Sequence, residues 1–218
     1  MNRTRLARRL AVGVTGAALV LTAAPTAASA STGKAPSGTR SLAQVLTRDT
    51  SGLDRNGYDY DILTKAVLTV LQAKPQSPVK VLTTGGVPLT AFLPNDAAFE
   101  RLAQDVTHAR RRPSEAQAFA TVAGLGLDTI ENVLLYHVVP GATIDARTAL
   151  RSDGAALTTA LGPKVTVDVE GFRGCRRIRL IDADRSDRDA RVVRFDINKG
   201  NKQIAHGVDR VLRPVDLP

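Results

Sequence analysis

The side chains of this 218-residue chain best suited to moving a proton near neutral pH are His137 and His206, with Tyr136, Asp96 and Asp209 as companion acids. General acid–base catalysis would have to be built from these five. The motifs that normally accompany such chemistry are missing: there is no Gly-x-Ser-x-Gly elbow, no His-Glu-x-x-His pair, no phosphate-cradling loop and no Cys-His pairing. Gly85-Gly86 is a turn signal alone. His137 falls on one helical face with Ile130, Val133 and Leu134, and in Gln203 to Asp209 strict alternation puts Ile204, His206 and Val208 on one face. Both imidazoles therefore point into apolar packing, where a buried ring must find a hydrogen-bond partner. That pattern predicts orientation and packing rather than catalysis.

Two oxygen-rich runs could in principle ligate a cation. Asp182, Asp184, Asp187 and Asp189 form one; Asp54, Asn56, Asp59 and Asp61 form the other. A calcium hand-type loop needs oxygen ligands at its first, third and fifth places, Gly at the sixth and a carboxylate at the twelfth. Counting from Asp182, the sixth place is Asp187 and the twelfth Val193; Arg185, Arg188 and Arg191 also neutralise the run. In the second run Tyr58 holds the fifth place. Both read as solvated loops, with no metal and no cofactor expected.

Basic residues gather at Arg110-Arg111-Arg112 and at Arg173, Arg176, Arg177 and Arg179. In Arg177-Ile178-Arg179-Leu180 the arginines alternate with apolar residues, so they line the exposed face of a strand. Such a row protects a sheet edge, or forms a patch for an extracellular polyanion. Cys175 lies within this cluster, and as the only cysteine it forms no internal disulfide.

The elements that must position these residues divide into two halves. Ser41 to Leu46 predicts a short helix, and Ile62, Ala66, Val67, Val70 and Leu71 a longer one that Pro75 and Pro78 end. Pro88 to Pro94 reads as a strand buried on both faces. Asn95-Asp96 caps a helix carrying Phe99, Leu102, Ala103 and Val106; further helices follow near Ser114 to Ala123 and, from a capping-box-like Asp128 and Glu131, over Thr129 to Tyr136. Pro140-Gly141 closes the last of these. Beyond Ala155 short alternating runs predict strands at Ala155 to Thr159, Lys164 to Val169, Arg177 to Ile181, Arg191 to Phe195, Gln203 to Val208 and Val211-Leu212. Helices first and strands second is the α+β pattern, and no internal repeat divides it.

Three segments carry a family resemblance. Thr90-Ala91-Phe92-Leu93-Pro94-Asn95-Asp96-Ala97-Ala98-Phe99, Leu135-Tyr136-His137-Val138-Val139-Pro140-Gly141 and His206-Gly207-Val208-Asp209-Arg210-Val211-Leu212-Arg213-Pro214 resemble, in order and spacing, the boxes of the fasciclin-like domain. The likeness spans Ser41 to Pro218. Its signature positions here are Thr90, Phe92, Pro94, Asp96, Phe99, Tyr136, His137, His206 and Asp209. The departure is ahead of His206, where Lys202 and Gln203 stand in place of the family's Asn-Gly. The resemblance implies helices packed on a twisted sheet or wedge of short strands, and a non-enzymatic module that binds a cell-surface or matrix component. A groove-type binder of a small molecule or polymer is the alternative, and a hydrolase a distant third.

Composition bounds the partners. Aromatic residues make up 4% with no Trp, which argues against the stacking platforms of nucleic-acid binders. Met1 to Ala30 carries Arg3, Arg5, Arg8 and Arg9, an apolar stretch from Leu10 to Ala24, and Ala28-Ser29-Ala30, the pattern of a secretory signal peptide. That stretch is shorter than the roughly 20 residues needed to span a bilayer. Four of the nine excess positive charges belong to it, leaving +5 on the mature chain. Ser31 to Arg40, rich in Ser, Gly, Pro and Thr, reads as a flexible lead-in to a domain at 41–218. The expected product is a secreted, extracellular monomer with no membrane span after processing. N-terminal sequencing of protein from the medium should begin at Ser31; material retaining Met1, or held in membranes, would contradict the leader assignment.

Overall fold

The computed structural model describes residues 37–172 and 175–217. The predicted leader, the first part of the lead-in and Arg173 lie outside the described residues. Within them the chain builds six α-helices and a seven-stranded mixed sheet, the α+β class expected.

The helical half follows its capping signals. Helix α1 (Leu42–Leu46) starts at a capping box in which Ser41 and Gln44 bond each other's backbone N–H. Helix α2 (Asp61–Ala73) buries Ile62, Leu63, Ala66, Val67 and Val70. After it Ser77 caps a short 3-10 turn over Pro78–Thr83, where proline occupies the first helical position. Strand β1 (Leu89–Pro94) is buried at all six residues. Asn95 then accepts the Ala98 N–H and opens α3 (Asp96–Thr107). Ser114 and Gln117 form a second capping box at α4 (Glu115–Gly124). Helix α5 (Leu127–Tyr136) departs from expectation: Gly126 precedes it without a side-chain cap, and Asp128 and Glu131 instead bind the Lys74 ammonium. Among the described residues no single helix is long and apolar enough to cross a membrane.

The strands are β2 (Val138–Pro140), β3 (Ala156–Thr158), β4 (Lys164–Glu170), β5 (Arg177–Ile181), β6 (Ala190–Ile197) and β7 (Gln203–Val208), with a short helix α6 (Ala146–Ala149) between β2 and β3. Their order is β2-β1-β7-β6-β5-β4-β3. Only β1 and β7 pair in parallel, Leu89 opposite Gln203 through Pro94 opposite Val208; every other pairing is antiparallel. Val211 and Leu212, expected as a strand, are buried coil. The Leu212 N–H bonds a side chain instead of a neighbouring strand.

Alternation in β1 explains the layering. Leu89, Ala91 and Leu93 enter one apolar cluster with the helices, whereas Phe92 enters a second with Val165, Val167, Ile178 and Leu180 of β4 and β5. Strands several places apart in the order can meet Phe92 only if the sheet curls. The Ala160 N–H reaches the Val138 carbonyl at 2.7 Å, joining the two ends of the order. The sheet is therefore a closed wedge with helices on its outer face.

The last residues of the expected lead-in pair with the rest of the chain. Gly38 exchanges backbone hydrogen bonds with Gly200 (3.0 Å) and Lys202 (2.8 Å), and Arg40 bonds Asn201 and Asn198 through its backbone. Gly85 lets this segment pass, since a Cβ there would sit 1.7 Å from the Thr39 carbonyl. Residues 38–40 are thus hydrogen-bonded to the turn that precedes β7. Gln203, the residue that departs from the family pattern, ties the segment in. Its amide oxygen accepts the Leu42 N–H at 2.8 Å, and its amide nitrogen donates to the carbonyls of Val81 (2.7 Å) and Thr84 (3.0 Å). Gln203→Leu keeps the volume but strands the buried Leu42 N–H and two part-buried carbonyls, so it should lower unfolding free energy by roughly 1–3 kcal/mol in urea titration.

Candidate functional site

Every polar signature residue ends at a junction between elements, where it satisfies backbone groups that regular structure leaves unpaired. The Thr90 hydroxyl donates to the Ala142 carbonyl and accepts the Ile144 N–H, each at 2.8 Å, fixing the chain after β2. Asp96 does not cap its own helix, which Asn95 does. Its two oxygens accept the N–H groups of Asp61 (3.1 Å) and Ile62 (2.9 Å), the first turn of α2. The Tyr136 hydroxyl donates to the Lys164 carbonyl at 3.0 Å and accepts the Ala183 N–H at 3.1 Å, and burial pushes its pKa up to about 12. Asp209 accepts the Arg191 N–H at 2.7 Å, while its carbonyl accepts from Arg101. Phe92 and Phe99 anchor separate clusters on either side of the turn, and Pro94 ends the parallel pairing opposite Val208.

The histidines have no free face. His137 Nδ1 lies 2.7 Å from the Val133 carbonyl, and Nε2 accepts the Leu212 N–H at 2.9 Å, which sets a neutral ring protonated on Nδ1. Burial lowers its pKa to about 4. His206 adopts the other tautomer: Nε2 faces the Ile144 carbonyl at 2.9 Å and Nδ1 accepts the Asp196 N–H at 3.3 Å. It packs between Phe92 and Phe195, and burial again lowers its pKa. His137, His206, Tyr136, Asp96 and Asp209 are not brought together around an open space.

The arginine row is only partly a cationic surface. Ile178 and Leu180 are buried and Arg177 is exposed, as the alternation requires. Arg179, however, binds Asp168 through Nε at 2.8 Å, Glu170 at 3.1 Å and Asp189 at 3.6 Å, and Arg191 also reaches Glu170. Register causes this: β4 sets Asp168 opposite Arg179 and Glu170 opposite Arg177. Arg176 and Arg177 remain exposed, as does Cys175.

Neither acidic run is the solvated loop its composition suggests. In the first, Asp184 is buried and pairs with Arg213, whose guanidinium also reaches Asp105 at 3.0 Å and Asp187 at 3.2 Å. Asp182 accepts the Arg213 N–H, and burial pushes its pKa up to about 6. In the second, Asp61 is buried, and Asp59 belongs to two acidic triads, one with Asp54 and Asp61, the other with Asp96 and Glu115. Glu115 was unmarked in sequence because an acid at the first position of a helix is simply a favourable helix start. The two apolar cores are filled: a cavity of about 20 Å³ lies between α2, α3, α4, α5 and the sheet and one of about 10 Å³ inside the curl of the sheet, each with room for a water molecule at most.

A family model described as the fasciclin domain matches residues 63–214. Among solved structures, a FAS1 domain pair from the insect cell adhesion molecule fasciclin I is similar with a TM-score of 0.55 at 16% identity, over 81% of this chain and 51% of that one. The chain thus spans about half the length of that structure. No curated protein matches the chain.

The buried state of His137 has a pH signature. Its folded pKa of about 4 lies below the ordinary 6.5, so between those values the unfolded chain binds the extra proton. The contribution is complete above pH 6.5 and is lost as pH falls toward 4, a change on the order of 3 kcal/mol. The raised acids Asp96 and Asp182 act in the opposite sense, so the measurement is a difference. His137→Ala should unfold roughly 1–3 kcal/mol more easily than wild type at pH 7. That gap should close as both are titrated to pH 4; a gap independent of pH would show that the imidazole is not held neutral by the fold.

Proposed function

The chain belongs to the fasciclin domain family, and from that premise we propose that it is a secreted, non-enzymatic adhesion module that binds a component of the cell surface or extracellular matrix. The observation that carries the reading is the family match over residues 63–214. The family's polar signature residues support it, because each is used inside the fold and none is left to bind or turn over a substrate. Recognition then falls to the surface those residues hold in place.

The solvent face of β4, β5 and β6 suits that role best. Exposed Val193 and Arg177 share it with the paired Arg179, and Phe172, 83% exposed, stands at the adjoining β4–β5 turn. Exposed aromatic and arginine side chains side by side are the composition enriched where proteins bind one another. With Arg179 already paired, the attraction to an anionic polymer rests on Arg176 and Arg177, and is weaker than the bare row would give. The filled layer between helices and sheet disfavours a groove binder at that interface.

The test is retention of labelled mature protein on isolated cell surfaces and on an anionic polymer matrix, from 0.1 to 1 M salt, over which the Debye length falls from about 10 to about 3 Å. Retention on cell surfaces should be saturable and drop several-fold in Val193→Glu, with the melting temperature unchanged. Arg177→Ser should reduce the salt-sensitive part. Retention no greater than that of an unrelated protein of equal charge would overturn the reading.

A further inference from the structure

We infer that Asp59, Asp96 and Glu115 form a binding site for a hard divalent cation of the calcium type. Ligand oxygens of the three lie within 4.8 Å of one another. Two oxygens bound to one calcium at about 2.4 Å are at most about 4.8 Å apart, so these separations meet the distance condition for a shared ion. Asp54 and Asp61 group with the same Asp59 and supply further oxygens beside it. All the donors are carboxylates, with no sulfur or imidazole, which suits hard cations such as calcium over the soft, thiolate- or imidazole-seeking metals.

The second observation is an unanswered buried charge. Glu115 is 1% exposed, and neither carboxylate oxygen has a hydrogen-bond partner. The Asp54 N–H faces it without reaching hydrogen-bond geometry. Asp59 Oδ1 is likewise buried and unpartnered. Among the described residues none of these five carboxylates takes part in an ion pair. A buried carboxylate left alone must take up a proton or a cation.

The site is also built in advance. The N–H groups of Asp61 and Ile62 orient Asp96 as supporting contacts orient a ligand. The loop carrying Asp59 is clamped to the start of α3, since Asp96 N–H donates to the Asp59 carbonyl at 3.1 Å and Ala97 N–H to the Gly57 carbonyl at 2.9 Å. Gly57 allows this approach, because a Cβ there would lie 3.2 Å from that of Ala97. Asp59 also borders an open groove of about 660 Å³, lined as well by Arg48, Tyr58, Tyr60 and Arg194.

The experiment is calorimetric titration of chelator-treated mature protein with calcium chloride, with melting temperature followed in parallel and sodium chloride at equal ionic strength as reference. Saturable binding and a calcium-specific rise in melting temperature are expected. Glu115→Gln, nearly isosteric and relieved of the buried charge, should melt no lower than wild type without calcium and bind it at least tenfold more weakly. Should that variant fail to fold, Asp59→Asn carries the same expectation of tenfold loss. Asp187→Asn, in the acidic loop already answered by arginine, should leave calcium affinity unchanged. The inference is overturned by no calcium binding in wild type, by a thermal response that sodium reproduces, by wild-type affinity in Glu115→Gln or Asp59→Asn, or by an equal loss in Asp187→Asn.

Discussion

The parallel pairing of β1 with β7 is the constraint on which the rest depends. It joins Leu89–Pro94 to Gln203–Val208, more than a hundred residues apart, and both strands are buried at every position. A parallel pair cannot be closed by a tight turn, so everything between must leave and return. The helices leave on one side and the curled β3–β6 returns on the other, which is why alternate residues of β1 belong to separate clusters. The ladder carries on past the strand as well, where the Asn95 N–H bonds the Val208 carbonyl at the point the chain turns into α3.

Burying two strands in this way creates polar debts at their ends, and the signature residues answer them. Thr90 lies on β1 and holds the segment beyond β2; His206 lies on β7 and holds Ile144 and Asp196; His137 and Tyr136 end α5 and hold Leu212, Lys164 and Ala183. Each uses a group that both donates and accepts, so one side chain serves two orphaned backbone groups. The same bifunctionality makes these residues look catalytic in a bare sequence. Desolvation separates the two cases, because an imidazole held near pKa 4 is too weak a base to serve at neutral pH.

What was legible in the sequence is what depends on near neighbours. Ser41 and Ser114 cap their helices as their spacing says, and the alternation of β7 correctly turns His206 inward. The failures are non-local. Asp96 reads as a cap for α3, yet its hydrogen bonds go to α2, some 35 residues back, because the two helix starts pack together. Asp128 and Glu131 read as a capping box, yet Lys74 takes both. Strand β2 was hidden because it follows α5 with only His137 between them and has three residues, too few for periodicity to divide strand from helix. Glu115 could not be singled out at all, since its burial arises only where α2, α3 and α4 begin side by side.

The two acidic clusters show how the same problem receives different answers in one fold. Around Arg213 a nearly buried guanidinium gathers Asp105, Asp184 and Asp187, and Arg210 adds a second contact to Asp187. A planar cation with five donors can satisfy several carboxylates at once, and it is covalently present whenever the chain folds. Around Asp59, among the described residues, no lysine or arginine forms an ion pair with the carboxylates, although Arg48 and Arg194 line the adjoining groove. Helix starts point their positive ends at this cluster, and two of their N–H groups satisfy Asp96, but dipoles of partial charge do not neutralise Glu115 and Asp59 as well. One cluster carries its counter-charge within the chain and the other, among the described residues, does not, so the unpaired carboxylates of this fold gather where the first turns of α2, α3 and α4 meet.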